Sequence, residues 1–172
     1  MKPLVKLILL FLSLFLCGGD AEDISEPGTY ENPVIDSAMS CEQALEEFSA
    51  NCPLNIKDRQ RLINVKYYSF DDKIHQGQLV VDMDLADDIE FAFGEALKEK
   101  FQVFSVIPMS DVSFRKNGLW DDNLSMEANN TSCFNYRTIT GSNIIVRTLL
   151  SRGWEWGGNW TDLKDYQHLE KK

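Results

Sequence analysis

Histidine is scarce in this chain. Only His75 and His168 occur in 172 residues, so one copy of the chain cannot build a site that needs three imidazoles. Positive charge is also short, with 17 lysines and arginines against 27 acids and a formal net charge of -10. Removing an N-terminal segment whose only charges are Lys2 and Lys6 takes this to -12. A chain so acidic is repelled by phosphate backbones and anionic lipid, which argues against unspecific nucleic-acid binding. No apolar run reaches the ~20 residues that cross a bilayer as a helix. The longest runs from Leu7 to Leu16 and is interrupted by Ser13. No internal repeat is apparent, which sets aside solenoids and propellers.

What is present suits a folded protein. Apolar residues make up 44%, aromatics 11% and charged residues 26%, enough to bury a core and to solvate its surface. The length fits one domain of ordinary size and is too short for two well-packed ones.

The N-terminus MKPLVKLILLFLSLFLCGGD has a basic start, the short apolar run and then an acidic stretch, which is a secretory signal pattern. Cys17, directly after the run, suggests a bacterial lipoprotein acylated at that cysteine, although Leu16 stands where a small residue is usual. Residues 1–17 are therefore expected to be a signal peptide, 18–40 an acidic linker and 41–172 the folded domain. The expected location is the periplasm or cell envelope. Of the other cysteines, Cys41 and Cys52 either bridge a short loop or stay buried thiols together with Cys133.

Along the domain, Cys41 to Phe48 reads as a short helix with Ser40 as N-cap. Leu62–Phe70 and Gln78–Met83 are rich in β-branched and aromatic residues and read as two strands of a hairpin around the polar loop DDKIHQG, which holds His75. Asp84 to Phe101 changes period, with Ile89, Ala92, Phe93, Ala96 and Leu97 on one helical face. Phe101–Pro108 reads as a buried strand. Residues 110–143 are loop-like and Asn-rich but hold Trp120, Met126, Phe134 and Tyr136, which suits a functional surface. Ile144–Leu150 reads as a helix ending near Gly153, and a last strand is expected around Tyr166–Leu169. Helices and strands are segregated, so the fold class is α+β with a mostly antiparallel sheet flanked by helices.

Three clusters invite chemistry. Asp165 and His168 in DYQHLE have the spacing that places a general base beside a metal-bound water. Arg137 behind Tyr136 can steady an oxyanion or clamp a carboxylate. Trp154, Trp156 and Trp160 with Gly157 and Gly158 can stack on sugars, wall a cleft or simply pack a tight turn. His75 reads as a solvated or turn-stabilising residue.

In order, the strings VKYYSFDDKIHQGQLVV at 65–81, FQVFSVIP at 101–108, WDDNLSMEANNTSCFNYRTITGSN at 120–143 and SRGWEWGGNWTDLKDYQHLE at 151–170 resemble one family. These are the zinc D,D-carboxypeptidases and L-alanyl-D-glutamate endopeptidases, which cut peptide stems of the bacterial cell wall. The resemblance spans roughly residues 54–171. It implies zinc as cofactor, His168 as the last zinc ligand, Asp165 as general base, Arg137 as the residue that steadies the tetrahedral intermediate, and a peptidoglycan stem peptide as partner.

The departure from the family is as informative. Its S-x-H-x-x-G-x-A-x-D segment, which supplies a His and an Asp to zinc, follows the TGSN-like turn, whereas here Asn143 runs directly into IIVRTLLSRGWEWGG. Two of three zinc ligands go with the missing segment. The expectation is an internally truncated, monomeric zinc D-Ala-D-Ala peptidase-like domain whose hydrolysis is weakened or lost. The alternative is a non-catalytic derivative that binds peptidoglycan.

Overall fold

The computed structural model describes residues 26–46, 52–127, 139–166 and 168–172. The signal segment with Cys17, and Phe48, Cys133, Phe134, Tyr136 and Arg137, lie outside the described residues. In chain order the elements are β1 (Val34–Ile35), α1 (Cys41–Ala44), α2 (Leu54–Lys57), β2 (Gln60–Tyr68), β3 (Ile74–Asp82), α3 (Ala86–Lys98), β4 (Arg115–Lys116), β5 (Leu119–Trp120), α4 (Asp122–Glu127), α5 (Ile144–Ser151), β6 (Glu155–Trp156) and β7 (Leu169–Glu170). The α+β class holds. The sheet, however, is small and mixed: β3 lies between antiparallel β2 and parallel β1, and two separate two-stranded ribbons, β4–β5 and β6–β7, complete the strands. Among the described residues no helix is long and apolar enough to cross a membrane.

The β2–β3 hairpin follows from alternation. Ile63, Val65 and Tyr67 point to one face and are buried with Val106, against Ile89 and Phe93 of α3. The connection is tighter than the expected loop, because Ser69 N donates to Lys73 O at 2.9 Å and Asp72 takes a left-handed conformation, φ 63°. Aspartate tolerates that region better than most residues. The strand therefore starts at Ile74, and His75 is paired opposite Tyr67 in β3 rather than solvated in a loop.

Helix α3 joins two apolar clusters. Its small residues Ala92 and Ala96 are buried, and Ala92 packs with Leu149 of α5 and Trp154 in the second cluster. Asp87 and Asp88 in its first turn and Lys98 in its last complement the helix dipole. α5 is capped by Asn143, whose side chain accepts from Ile145 N at 3.0 Å.

Phe101–Pro108 is not a regular buried strand. It bridges β2 only at Tyr68–Gln102 and then crosses to β3, where Gln78 N donates to Val106 O at 3.0 Å. This approach is possible because residue 77 is glycine: a Cβ there would lie 2.1 Å from Val106 O. Phe104 is left 71% exposed.

Residues 26–40, read from sequence as the end of a linker, are docked. Val34 and Ile35 form β1, and Gln78 accepts from Ser37 Oγ (2.7 Å) and Met39 N (2.6 Å) while its amide donates to Met39 O (3.1 Å). Prolines and acids hid this edge strand, because its pairing uses backbone and polar groups rather than an apolar pattern. In α1, Ser40 and Gln43 form a capping box. Cys41 and Cys52 are both free thiols, with Cys41 exposed.

Candidate functional site

The C-terminal ribbon carries the best candidate. β6 and β7 pair antiparallel, Glu155 with Glu170 and Trp156 with Leu169. Between them the chain makes the tryptophan turn and returns through Asp165. Gly157 N donates to His168 O at 2.9 Å, Asp165 N to Gly157 O at 3.2 Å, and His168 N to Asp165 O at 3.2 Å. A Cβ on Gly157 would sit 2.3 Å from Asp165 O and 3.1 Å from the His168 Cβ. Glycine at 157 is what lets the Asp165–His168 turn close on the ribbon.

Asp165 is exposed at this turn. The His168 ring is 39% exposed and lies beside the Trp160 ring, centroids 4.8 Å apart. Its Nε2 is nonetheless buried, and it is the side-chain polar atom that lacks a hydrogen-bond partner among the described residues. Glu170 Oε2 is 3.3 Å away. Residues two apart on an extended chain share a face, so the His168–Glu170 pairing was available from spacing but was passed over for Asp165.

These residues do not assemble a zinc site. A buried, unpartnered imidazole nitrogen suits a metal ligand, but tetrahedral zinc takes three protein donors in a catalytic centre. Among the described residues no group of three His, Cys, Asp or Glu converges. Of the predicted residues, the structure brings Asp165 and His168 together through the backbone of one turn, and Arg137 lies outside the described residues.

The tryptophans divide by role. Trp154 and Trp156 are buried; Trp154 Nε1 donates to Asp88 at 2.7 Å and Trp156 Nε1 to Tyr166 O at 2.8 Å. They pack and pin the turn, and Trp160 is half-buried beside His168. Asp88 is the anchor beneath: besides Trp154 it accepts from Arg152 and from Lys171 Nζ at 2.6 Å. Burial works against the ionised Asp88, but these three donors outweigh it and hold its carboxyl at about 2. Sequence reasoning missed Asp88, since an acid in the first turn of a helix is the ordinary dipole partner.

Beside the ribbon, Gly141 of the Thr140–Asn143 turn faces the Trp156 ring, 3.5 Å from where its Cβ would be. The same turn borders an open groove of about 840 Å³ that also includes Phe70, Lys100, Gln102 and Phe104.

His75 forms a second constellation. Its Nδ1 is 2.9 Å from Asp36 Oδ1 and its Nε2 is 3.1 Å from Asp71 Oδ1. Tyr67 OH donates to Asp36 and accepts from Val106 N at 3.2 Å. Both imidazole nitrogens are occupied, so this histidine ties elements together.

Residues 110–171 match a family model described as D-alanyl-D-alanine carboxypeptidase. The match takes in the ribbon, the tryptophan turn and α5, and starts later than the 54–171 span of the sequence resemblance. No curated protein and no solved structure matches the chain. Members of the matched family are zinc-dependent. Over residues 110–171 this chain is similar to the D-alanyl-D-alanine carboxypeptidase family.

Proposed function

We propose that the chain is an exported, internally truncated member of the zinc D-Ala-D-Ala peptidase-like fold that recognises peptidoglycan stem peptides and hydrolyses them weakly or not at all. The observation that carries this reading is His168: its Nε2 is buried and without a hydrogen-bond partner among the described residues, as a ligand nitrogen would be, and Glu170 is the carboxylate 3.3 Å from it. One imidazole and one carboxylate hold zinc far less tightly than a three-donor set. Recognition needs no metal. Lys100 and the amide and hydroxyl side chains of Gln102, Ser142 and Asn143 line a groove that suits a short peptide with a terminal carboxylate. Arg137 fits the role of a second carboxylate clamp, and Asp165 that of an acceptor at the turn or, in a metal-loaded relative, of the base. Acylation at Cys17 would hold the protein in the cell envelope.

The test is zinc stoichiometry on the purified, dialysed protein beside His168→Ala, followed by incubation with a stem pentapeptide. We expect no zinc above the level of the variant, and saturable binding without release of D-alanine. Near one zinc per chain, lost in the variant and accompanied by D-alanine release, would establish an active peptidase instead. Absence of both binding and cleavage would end the stem-peptide reading.

A further inference from the structure

His75 lies at the seam between the sheet and the docked segment 26–40. Its side chain is 13% exposed and meets a carboxylate at each nitrogen: Asp36, which follows β1, at Nδ1 and Asp71, from the β2–β3 turn, at Nε2. From β2 the Tyr67 ring lies 5.8 Å away and its hydroxyl donates to the same Asp36. The crossing segment 101–108 contributes only the Val106 amide, bound to that hydroxyl. An ionised carboxylate is an acceptor only, so both imidazole nitrogens must carry protons to satisfy both partners, and a neutral ring has one N–H to offer.

We propose that His75 is the charged pin of a clamp that docks residues 26–40 on the sheet, closed while the imidazole is protonated and loosened when it is neutral. The two acids do not share the loss equally. The Asp71 side chain is 49% exposed and can turn to water, whereas that of Asp36 is 15% exposed and would keep only a tyrosine hydroxyl and one neutral N–H. An ionised carboxylate short of its counter-charge is costly to keep from solvent, and the cost falls on β1, which is only Val34–Ile35. Burial alone would lower the His75 pKa; the bonds to Asp36 and Asp71 outweigh it and raise it. The clamp is therefore fully closed below the ordinary histidine value of about 6.5. It is lost as pH climbs through the higher folded value. Tyr67, pushed up by burial and by its bond to Asp36, stays protonated throughout. If Cys17 carries a lipid, an undocked segment lengthens the tether by up to roughly 50 Å.

The experiment is hydrogen–deuterium exchange of the full chain from about pH 5.5 to about pH 8.5, each rate normalised to the intrinsic rate at that pH. The reporters are the Asp36 amide, bonded to Gln76 O, and the Met39 amide, bonded to Gln78; hairpin amides such as Ile63 and Leu79 report the fold. Protection at Asp36 and Met39 should fall with rising pH, by at most about tenfold per unit for one linked proton, while the hairpin stays protected. His75→Gln should lower that protection and flatten its pH dependence. Asp71→Asn should move the midpoint down. Protection that does not vary with pH in the wild type, an unchanged slope in His75→Gln, or no midpoint shift in Asp71→Asn overturns the proposal.

Discussion

The two histidines sit in opposite surroundings. Around His75 every ring nitrogen is matched to a carboxylate, one carboxylate is matched again to a tyrosine, and the group bridges β1, β2 and β3. Around His168 the backbone is fixed by three hydrogen bonds of the tryptophan turn, while the Nε2 itself is left without one. Buried polar atoms are nearly always paired, and those that are not tend to mark a ligand or a strained site. The contrast separates a histidine that holds the fold from one that the fold holds. It also divides the molecule: the sheet carries a saturated polar network, and the C-terminal ribbon carries the unfinished one.

The sharpest test of this division removes a close approach on the sheet side. Gly77→Ala puts a methyl group against Val106 O and should cost about 4 kcal/mol in urea unfolding. Next is the anchor under the ribbon. Asp88→Asn leaves Arg152, Lys171 and Trp154 around an uncharged amide and should cost about 3 kcal/mol. The Asp88 pKa is lowered, so its contribution is present above the ordinary carboxylate value and is lost as pH falls through about 2. An Asp88→Asn stability curve should converge on the wild type in strong acid. His75→Gln should cost about 1 kcal/mol at mildly acid pH and less as pH rises, since it removes a charge that the wild type loses anyway. The smallest effect is expected at His168: His168→Ala should leave the melting stability within about 0.5 kcal/mol of the wild type, because its Nε2 makes no bond to lose. A cost at His168 as large as at Asp88 would erase the distinction between the two regions.

How far each region could be read from sequence follows the same line. Helix α3 was legible because its apolar residues recur at helical spacing, and α5 because its apolar run stops just before Gly153. The hairpin was legible in kind but not in register. Polarity in DDKIHQG suggested a loop, whereas a tight turn with Asp72 in a left-handed conformation places His75 in the strand. The segment 101–108 looked apolar enough for a buried strand, but its neighbours offer it one bridge and scattered single hydrogen bonds instead of a ladder, and Phe104 faces solvent. Asp165 and His168 were legible as a pair from spacing. Glu170, 3.3 Å from His168 Nε2, was not singled out, because a lone acid beside lysines usually reads as solvated.

Composition and order in the chain determined the acidic character, the limit of two imidazoles, the α+β class, the main helices and the likeness of residues 110–171 to D-alanyl-D-alanine carboxypeptidases. These depend on local propensity, periodicity and residue counts, which are properties of short stretches or of sums. Tertiary structure alone decided that Val34 and Ile35 of the segment 26–40 join the sheet, that Asp88 is buried beneath three donors, and that one histidine is saturated while the other has a nitrogen without a hydrogen bond among the described residues. The bond from Trp154 to Asp88 joins residues 66 apart and the bonds from His75 to Asp36 join residues 39 apart. Partners at such separations are chosen by packing, because burial makes an unmatched charge costly only after the chain has brought its neighbours into place.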